Sequence, residues 1–313
     1  MFNKIITITL NPSLDTTLWV DRFDLKEPVS AIREQIYPGG KSINVTRVLT
    51  ALGIKSKALG FVGEQNITTF IQLLDQEEIS YHFISVKGTI RENFSIVMPN
   101  GELFKVNRAG FSVEQSVLDS LQSNIESEIK DGDQVLLVFA GSLPKNVSKE
   151  QYKTLIQNLS DEGIQIAIDT DIFTEQDIKE LKPYIMKPNE VELSHLAKTE
   201  NMNEKATCEY AKKLSQYATH VLVSRGDEGL LYAGNNELIQ CSVPEVEVKS
   251  TVGAGDTTLA GFIKALKEEL PIANCVQFAA ACGTASVLLE GTGVISLEAA
   301  NEMINDIRVT KLS

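Results

Sequence analysis

The segment "STVGAGDTTLAGF" (250–262) joins a glycine-rich turn to a carboxylate at the predicted start of a helix. The unpaired N–H groups of Gly253, Ala254 and Gly255, together with the helix dipole, would bind a dense negative charge such as a phosphate. Asp256, in the same turn, could accept the proton of a hydroxyl that attacks this phosphate. These residues suit phosphoryl transfer. The alternative is that Asp256 is only a helix N-terminal charge without a chemical role.

The same segment also bears on the acidity of Asp256 and on the kind of nucleotide. The helix dipole should keep the pKa of Asp256 low and make it a weak base. A loose phosphoryl-transfer transition state tolerates a weak base, because the attacking hydroxyl loses its proton late. A dinucleotide fingerprint, Gly-x-Gly-x-x-Gly, is not formed, because Thr258 stands at its sixth position. A dinucleotide-dependent oxidoreductase is therefore disfavoured.

A second glycine pair lies in "PGGKSINVTRVLTALG" (38–53), which contains the Gly-Lys-Ser that ends a Walker phosphate loop. A Walker loop needs a further glycine where this chain has Gln35, so that assignment fails. Gly39 and Gly40 would instead let the backbone approach a ligand closely, and Asn44 would offer an amide on the following helical turn. An ordinary turn and helix start explains these residues about as well.

Asn189 and Glu192 in "KPNEVEL" (187–193) are three residues apart and follow an apolar strand. On a helix this spacing places both side chains on one face, where they could reach a hydrated Mg²⁺ that keeps several of its waters. The same pair fits a capping box, in which Asn189 caps the helix and Glu192 bonds back to it. The two interpretations stay open, with the cap slightly favoured.

Two further segments follow predicted strands. Ser142 lies in "FAGSLPK" (139–145), and Ser224 and Gly226 lie in "VSRGDEG" (223–229). Side chains at the carboxyl ends of strands can face a ligand in an α/β sheet. A plain turn explains the first segment almost as well, and a hairpin turn explains the second almost as well.

Candidate contacts for a sugar and its phosphate lie outside these motifs. Asp15 follows the first strand and suits sugar hydroxyls, whereas Arg91 enters a predicted hairpin. Arginine binds phosphate bidentately and lysine acts as a point charge, so Arg91, Lys41 and Lys105 are candidate phosphate contacts, with Arg108 as a fourth cation. The alternative for each of these cations is a solvated surface side chain.

Strand-like apolar runs alternate with helical patterns along most of the chain. This alternation predicts a doubly wound α/β fold with a parallel sheet covered on both faces, whose ligands gather at the carboxyl ends of the strands. Two stretches break the rhythm and predict antiparallel hairpins that form a small, discontinuous β-sheet, whose polar face could cover the site. The strand runs are residues 5–10, 57–63, 134–141, 164–170, 184–189 and 220–226, and the hairpins are residues 14–37 and 88–107.

The composition of the 313-residue chain argues against several classes of protein. A net charge of −13 argues against binding to nucleic acid or to an anionic membrane, since both need a basic surface. The four cysteines form no Cys-x-x-Cys pair, and three histidines are too few to suggest a zinc cluster. The first apolar run is too short for a signal sequence or a membrane span. A reduced, cytosolic protein is expected.

In their order along the chain, these segments resemble the motifs of the ribokinase-like (PfkB) family of carbohydrate kinases, and more narrowly its branch of 1-phosphofructokinases and tagatose-6-phosphate kinases. The resembling segments are "TLNPSLD" (9–15), "PGGKSINVTRVLTALG", "GSLP" (141–144), "KPNEVEL" and "TVGAGDTTLAGF" (251–262), of which the last is the most specific. The resemblance implies one ribokinase-like domain over residues 1–313. Its core would be residues 1–12, 38–87 and 109–313, and its β lid residues 13–37 and 88–108.

The resemblance also implies cofactors, partners and residue roles. ATP and Mg²⁺ are the implied cofactors, with K⁺ left open, and the implied partners are a sugar phosphate, ATP and a second copy of the chain bound through the lid. Asp256 would be the catalytic base beside an anion hole of Gly253, Ala254 and Gly255, and Asn189 and Glu192 would organise the metal. The implied substrate-binding residues are Asp15, Gly39, Gly40, Lys41, Asn44, Arg91, Lys105 and Ser142. The implied nucleotide-binding residues are Lys187, Asn189, Ser224, Gly226, Thr251, Gly253 and Gly255.

Two residues depart from the pattern of this branch. Ser42 stands where the branch usually has glycine, which adds a side chain where backbone is expected to approach the substrate. Arg225 replaces an apolar residue next to the expected nucleotide. Both put the identity of the sugar in doubt more than the reaction.

The implied reaction is the phosphorylation of a ketohexose monophosphate, with fructose 1-phosphate as the first expected substrate and tagatose 6-phosphate as the alternative. A non-catalytic sugar-phosphate sensor on the same fold also stays open, since fold does not determine function. Asp256 beside the anion hole argues against a sensor, because a protein that only binds has no need of a base there.

Overall fold

The computed structural model describes residues 2–24, 26–200 and 202–312. Met1, Leu25, Asn201 and Ser313, which fall within the predicted core and lid segments, lie outside the described residues. In chain order the strands are β1 (Lys4–Thr9), β2 (Ser13–Val20), β3 (Ala31–Gly39), β4 (Lys57–Gly63), β5 (Ser80–Val86), β6 (Arg91–Val97), β7 (Leu103–Val106), β8 (Val135–Ala140), β9 (Gln165–Asp169), β10 (Ile185–Met186), β11 (His220–Ser224), β12 (Leu230–Gly234), β13 (Glu237–Ser242) and β14 (Arg308–Leu312). The helices are α1 (Lys41–Ala51), α2 (Ile67–Gln76), α3 (Gln115–Ser127), α4 (Lys149–Asp161), α5 (Glu175–Leu181), α6 (Glu190–Ala197), α7 (Glu204–Leu214), α8 (Ala254–Lys267), α9 (Ile272–Ser286) and α10 (Leu297–Ile304).

Ten of these strands form one large sheet in the order β14-β13-β12-β11-β10-β9-β8-β1-β4-β5. Neighbouring strands from β11 to β5 are parallel, whereas β12, β13 and β14 are added antiparallel at one edge. Helices α3 to α7 pack their apolar side chains on one face, and α1, α8 and α9 pack on the other. The predicted doubly wound parallel sheet is confirmed.

The strand order reverses between β1 and β8. From β1 the chain proceeds to β4 and β5 on one side, and from β8 it proceeds to β9, β10 and β11 on the other. The connections that leave β1 and β8 therefore diverge at their carboxyl ends and leave a crevice, which is where α/β sheets bind ligands.

Two parts of the large sheet differ from the sequence-based expectation. The predicted strand at 184–189 is reduced to Ile185–Met186, because Pro183 and Pro188 flank it and lack the N–H that a ladder needs. The antiparallel strands β12 to β14 were not predicted. A 3₁₀ turn over Gly226–Glu228 joins β11 to β12, so the hairpin interpretation of "VSRGDEG" describes this turn.

The remaining four strands form a small separate sheet in the order β3-β2-β6-β7. Strands β2 and β3 form one antiparallel hairpin and β6 and β7 form another, and the hairpins join through a parallel pairing of β2 with β6. The predicted discontinuous β-sheet is therefore present. The chain returns from β3 to the core through Gly40 alone, which has φ of 105° and caps helix α1.

Candidate active site

Two glycines shape the N-terminus of helix α8. Gly253, the residue before the helix, has φ of 79°, a left-handed conformation that glycine adopts without strain. At Gly255 a Cβ atom would lie only 2.9 Å from Nζ of Lys187. The missing side chain therefore lets the Lys187 ammonium group lie against the first helical turn. Lys187 adds its charge to the free N–H groups and dipole of this helix end.

Asp256 lies in the first turn of α8 and is only 5% exposed. Nδ2 of Asn44, on α1, donates a hydrogen bond of 2.8 Å to its Oδ2. Burial, followed by the negative charge of Asp169, raises the pKa of Asp256 to about 7, although Asn44, Lys41 and Lys187 act in the opposite direction. The prediction that Asp256 stays acidic is wrong, because loss of hydration and the like charge of Asp169 raise its pKa.

Asp169, at the end of β9, is a functional residue that the sequence analysis missed. It is 1% exposed, and Nζ of Lys41 lies 3.0 Å from its Oδ1 while Nζ of Lys187 lies 3.2 Å from its Oδ2. Burial acts to raise the pKa of Asp169, but the two lysines outweigh burial and lower it. Asp169 is therefore an ionised carboxylate that holds two ammonium groups beside Asp256. Its place at the end of a predicted strand was the signal that could have identified it.

Lys41 responds in the same way to its surroundings. Burial alone would lower the pKa of Lys41, but the carboxylates of Asp169 and Glu192 outweigh burial and raise it. Lys41 is consequently a fixed cation at the start of α1. Asp169 and Glu192 together orient its ammonium group, at 3.0 Å and 3.7 Å.

A cavity of about 380 Å³, named here the Asp256 cavity, lies at the carboxyl ends of the strands. It brings together most of the predicted substrate and metal residues with the helix α8 N-terminus. Ser13, Asn93, Asp169 and Val252 line it as well and were not predicted. The predicted residues in its lining are Asp15, Gly40, Lys41, Asn44, Arg91, Lys187, Asn189, Glu192, Ser224, Gly253, Gly255 and Asp256.

The small sheet supplies one wall of the Asp256 cavity. Asp15, on β2, accepts a hydrogen bond of 2.8 Å from Nδ2 of Asn93, and Gly39 has no room for a side chain because a Cβ would lie 2.1 Å from Oδ2 of Asp15. Burial lowers the pKa of Arg91, while Asp15 opposes this effect. Among the described residues, Nε of Arg91 and Oγ of the buried Ser13 have no hydrogen-bond partner. Unsatisfied polar atoms in a cavity wall indicate a place where a ligand can bind.

A second cavity of about 550 Å³, named here the Val243 cavity, adjoins the first. Ser224 and Gly255 line both cavities, so the two meet at the N-terminus of α8. The predicted nucleotide residues Gly226 and Thr251, and Ala254 of the predicted anion hole, line the Val243 cavity. Its apolar lining suits a nucleobase and consists of Leu230, Val243, Pro244, Val246, Val248, Ala280 and Val287.

Asn189 and Glu192 form the capping box that the sequence left as one of two interpretations. Oδ1 of Asn189 accepts the N–H of Glu192, and Oε2 of Glu192 accepts the N–H of Asn189, both at 2.9 Å. Over the described residues there is no group of three or more acidic, histidine or cysteine side chains that could hold a metal. The site therefore fits Mg²⁺ only in the mode that uses one carboxylate, waters and ligand phosphates. The candidate oxygen is Oε1 of Glu192, which also lies 3.7 Å from Nζ of Lys41.

Three predicted substrate residues line neither cavity. Gly39 lies behind the wall of the Asp256 cavity, where a Cβ would meet the side chains of Asp15 and Ser13. Lys105 is exposed on β7, at the edge of the small sheet. Ser142 is exposed after β8, and its Oγ accepts a hydrogen bond of 3.3 Å from Asn11. Arg108 is also exposed and pairs with Glu92 at 3.1 Å.

The two departures from the family pattern point away from the ligand sites. Ser42 is fully buried, and its Oγ donates to the carbonyl oxygen of Ile8 at 2.7 Å and accepts the N–H of Ala140 at 3.0 Å. Arg225 is buried as well, and its guanidinium group pairs with Glu190 and Glu228. The expectation that Ser42 adds a side chain toward the substrate is wrong, because this position faces the large sheet. Arg225 lies between Ser224 and Gly226, which line the Val243 cavity, but its own side chain is held by two glutamates and does not line that cavity, so an effect of Arg225 on the nucleotide stays a prediction.

This arrangement combines the parts that phosphoryl transfer requires. The helix N-terminus and Lys187 offer positive potential where the two cavities meet, and Asp256 lies beside them with a pKa of about 7. A base with such a pKa is matched to neutral pH, and preorganised cations stabilise charge without reorganising.

Comparison with known proteins agrees with this geometry. The model of the pfkB family of carbohydrate kinases matches residues 9–300. The 1-phosphofructokinase of Bacillus subtilis is 30% identical over 312 residues, which covers 98% of this chain and 100% of that protein. The tagatose-6-phosphate kinase of Staphylococcus epidermidis is 27% identical over 312 residues, with the same coverage.

Solved structures show the same fold. Phosphofructokinase-2 of Escherichia coli in complex with substrates and products is 26% identical with a TM-score of 0.88, covering 96% of this chain and 98% of that one. The same enzyme in complex with potassium is 27% identical with a TM-score of 0.89, covering 97% and 99%. Because the family model matches residues 9–300 of the 313 residues, the chain belongs to the pfkB family of carbohydrate kinases.

Proposed function

We propose that the protein is an ATP-dependent kinase for a ketohexose monophosphate, which converts fructose 1-phosphate to fructose 1,6-bisphosphate. One observation carries the proposal: two cavities meet at the N-terminus of α8, beside a buried carboxylate with a pKa of about 7. Membership of the carbohydrate kinases supports the reaction class. The similarity to proteins named 1-phosphofructokinase supports the choice of sugar.

In the proposed reaction the sugar phosphate occupies the Asp256 cavity and ATP the Val243 cavity. Asp256 accepts the proton of a primary hydroxyl of the sugar, and the oxygen of this hydroxyl forms a bond to the γ-phosphorus. The bond between the γ-phosphorus and its bridging oxygen breaks, and ADP leaves with that oxygen. The N–H groups of the first turn of α8 and the ammonium group of Lys187 stabilise the negative charge of the transferred phosphoryl group.

Mg²⁺ bound to the ATP phosphates would neutralise part of their charge during transfer. Glu192 would hold it through Oε1, and Asn189 would act by fixing the orientation of Glu192 in the capping box. K⁺ is a second candidate ion. It is tested in the same assay, because Escherichia coli phosphofructokinase-2 has been crystallised in complex with potassium.

The phosphate of the sugar must be bound by cations, but carboxylates outnumber cations in the lining of the Asp256 cavity. Its lining contains four carboxylates, of Asp15, Asp169, Glu192 and Asp256, against the three cations Lys41, Arg91 and Lys187. Lys41 and Lys187 are already paired with Asp169, which leaves Arg91 as the lining cation for the phosphate. We infer that cations outside the lining, such as Lys105, complete this subsite when the small sheet closes over the sugar.

A homodimer through the small sheet would bring the cations of a second copy near the same subsite. Both edge strands of this sheet expose large apolar side chains, which monomeric proteins seldom leave in contact with water as a group. These side chains are Ile32 and Ile36 on β3 and Leu103, Phe104 and Val106 on β7. We therefore propose that the small sheet is both the lid of the site and the dimer contact.

A cytoplasmic location completes the proposal. Over the described residues, each helix is too short or too polar to cross a membrane. The net charge of −13 opposes binding to nucleic acid and to anionic membrane surfaces. The proposed ligands are small phosphorylated molecules, whose negative charge must be met by cations within the site.

ADP release from Mg·ATP tests the proposal against fructose 1-phosphate, fructose 6-phosphate, tagatose 6-phosphate and unphosphorylated fructose, each with and without K⁺. We expect the highest kcat/KM for fructose 1-phosphate. A higher kcat/KM for tagatose 6-phosphate would show that the proposed reaction is right and the proposed substrate is wrong. If a sugar phosphate binds tightly while none of the panel is turned over, the protein is a sensor rather than a kinase.

A further inference from the structure

The junction between the small sheet and helix α1 determines how far apart two walls of the Asp256 cavity lie. Gly40, with φ of 105° and ψ of 135°, is the single residue between β3 and α1. On the core side, Lys41 and Asn44 of α1 line the cavity. On the other side, β3 pairs with β2, which carries Asp15. A rotation at Gly40 would therefore move Asp15 relative to Asn44.

Arg47 and Tyr37 contact each other across this junction. The guanidinium carbon of Arg47, on α1, lies 5.0 Å from the centroid of the Tyr37 ring, on β3. Tyr37 is also the residue that pairs with Asp15 in the register of β2 and β3. The Arg47–Tyr37 contact therefore connects the core helix to the strand pair that holds Asp15.

The guanidinium group of Arg47 is fixed to the core by every one of its nitrogens. Nε and Nη2 donate to the two carboxylate oxygens of Glu77, at the end of α2, at 2.6 Å and 2.7 Å. Nη1 donates to the carbonyl oxygen of Thr292, between α9 and α10, at 3.0 Å. Bidentate pairing of this kind leaves little freedom of orientation. Arg47 thus presents a rigid, buried face to Tyr37.

A second contact holds the small sheet to the same part of the core. Nη1 of Arg33, on β3, lies 2.7 Å from Oε2 of Glu290, two residues before Thr292. At Gly291, between these two residues, a Cβ would come within 3.5 Å of Thr17 and of Tyr37. The segment between α9 and α10 therefore packs against both strands of the first hairpin.

We propose that Arg47 is a positioning residue for the acceptor site. By holding Tyr37 against the core, it fixes the small sheet at the angle that keeps Asp15 and Ser13 within reach of a sugar bound beside Asn44 and Asp256. Arg47 itself does not line the Asp256 cavity. The kinetic part of this inference rests on the proposed function, whereas its structural part does not.

Steady-state kinetics of three single variants test the proposal. Tyr37→Leu removes the ring and leaves every charge in place, Tyr37→Phe retains the ring, and Arg47→Lys keeps the charge but loses the bidentate fork. We expect KM for the sugar phosphate to rise about 3- to 30-fold in Tyr37→Leu, as the loss of a cation–π contact predicts. KM for Mg·ATP should stay near the wild-type value, and Tyr37→Phe should retain wild-type behaviour.

The double variant and a matched control separate positioning from general stability. If Arg47 acts through Tyr37, Arg47→Lys combined with Tyr37→Leu should raise KM no further than the larger single effect. Arg225→Lys is the control. Arg225 is buried like Arg47 and pairs with the carboxylates of Glu190 and Glu228, but it lies outside the small sheet and outside both cavity linings. It should lower the melting temperature without changing KM for the sugar phosphate.

Hydrogen exchange of the unliganded protein gives a readout that does not depend on activity. In Tyr37→Leu the amides of residues 13–20 and 31–39 should exchange faster, while those of β1 and β8 stay protected. If the wild type turns over no sugar phosphate, the proposed function fails while exchange still tests the contact. An unchanged KM in a folded, active Tyr37→Leu would overturn the proposal, whether or not exchange is faster. Equal rises in KM for both substrates would overturn it as well.

Discussion

Replacing Asp169 by Asn should move the acidic limb of the pH profile to lower pH. Asp256 must be ionised to accept a proton, so the rate falls as pH decreases through its pKa of about 7. The negative charge of Asp169 disfavours the ionised form of Asp256, and its removal lowers that pKa. Lys41 and Lys187, freed from their shared partner, would favour ionisation of Asp256 further.

The size of this shift follows from the environment of Asp256. Its pKa rises from 3.8 to about 7, a difference of roughly 3 units or about 4 kcal/mol in favour of the protonated form. Burial is the largest cause and stays in the variant, whereas Asp169 is the second and disappears. We therefore expect the limb to move down by about 1 to 2 units, to a pH between roughly 5 and 6.

The assay is kcat/KM for the sugar phosphate between pH 4.5 and 9, each protein normalised to its own plateau. Titration of the substrate's phosphate affects both proteins equally, so the difference between them reports on Asp256. Asp177→Asn is the control, because Asp177 is also buried between two lysines, at 3.0 Å and 2.9 Å, but lies on α5. It should lose stability and keep the wild-type limb. A limb that stays near pH 7 in folded Asp169→Asn, or moves upward, would refute the electrostatic reasoning.

Three further substitutions test single features of the site. Asp256→Asn should lower kcat by about 10²- to 10⁴-fold while sugar-phosphate binding, measured by calorimetry, is retained; near-full turnover would remove Asp256 as the base. Gly255→Ala should lower kcat about tenfold or more, because its Cβ would lie 2.9 Å from Nζ of Lys187 and displace this cation; an unchanged kcat would show that Lys187 does not stabilise the transferred group. Ser42→Gly should cost about 1–3 kcal/mol of unfolding free energy in urea, because a buried carbonyl and N–H lose their partner. Ser42→Gly should also leave the order of kcat/KM among the tested sugars unchanged. A changed order would show that Ser42 affects the substrate site.

The parallel core of the large sheet could be predicted because its strands carry their own signal. A strand buried on both faces is a continuous apolar run, and β8 is buried at each of its six residues. Strand β14 has no such signal, since four of its five residues are exposed and it forms by pairing with β13. Strand β10 is short because of its flanking prolines, which mattered more than its apolar residues.

The motifs predicted which loops meet, but not which way each side chain points. Asn44 and Ser42 lie on the same first turns of α1, yet Asn44 bonds to Asp256 while Ser42 bonds to backbone groups of the large sheet. The rotation of α1 about its axis decides between these directions, and Gly40 sets the direction in which the helix starts. A sequence pattern gives the spacing of side chains on a helix and leaves this rotation free.

The pKa of Asp256 could not be predicted from its own segment, because residues distant in the sequence determine it. The helix dipole acts within one turn and can be read from "GAGD", whereas burial and Asp169 depend on how distant segments pack. An acidic protein that binds two phosphorylated ligands must hold cations locally, and here Asp169 holds two of them in place. The same negative charge prevents those cations from making Asp256 a strong acid. One buried carboxylate thus orients the lysines that stabilise the phosphoryl group and keeps the base at a useful pKa, so Asp169→Asn should broaden the active pH range at the expense of the maximal rate.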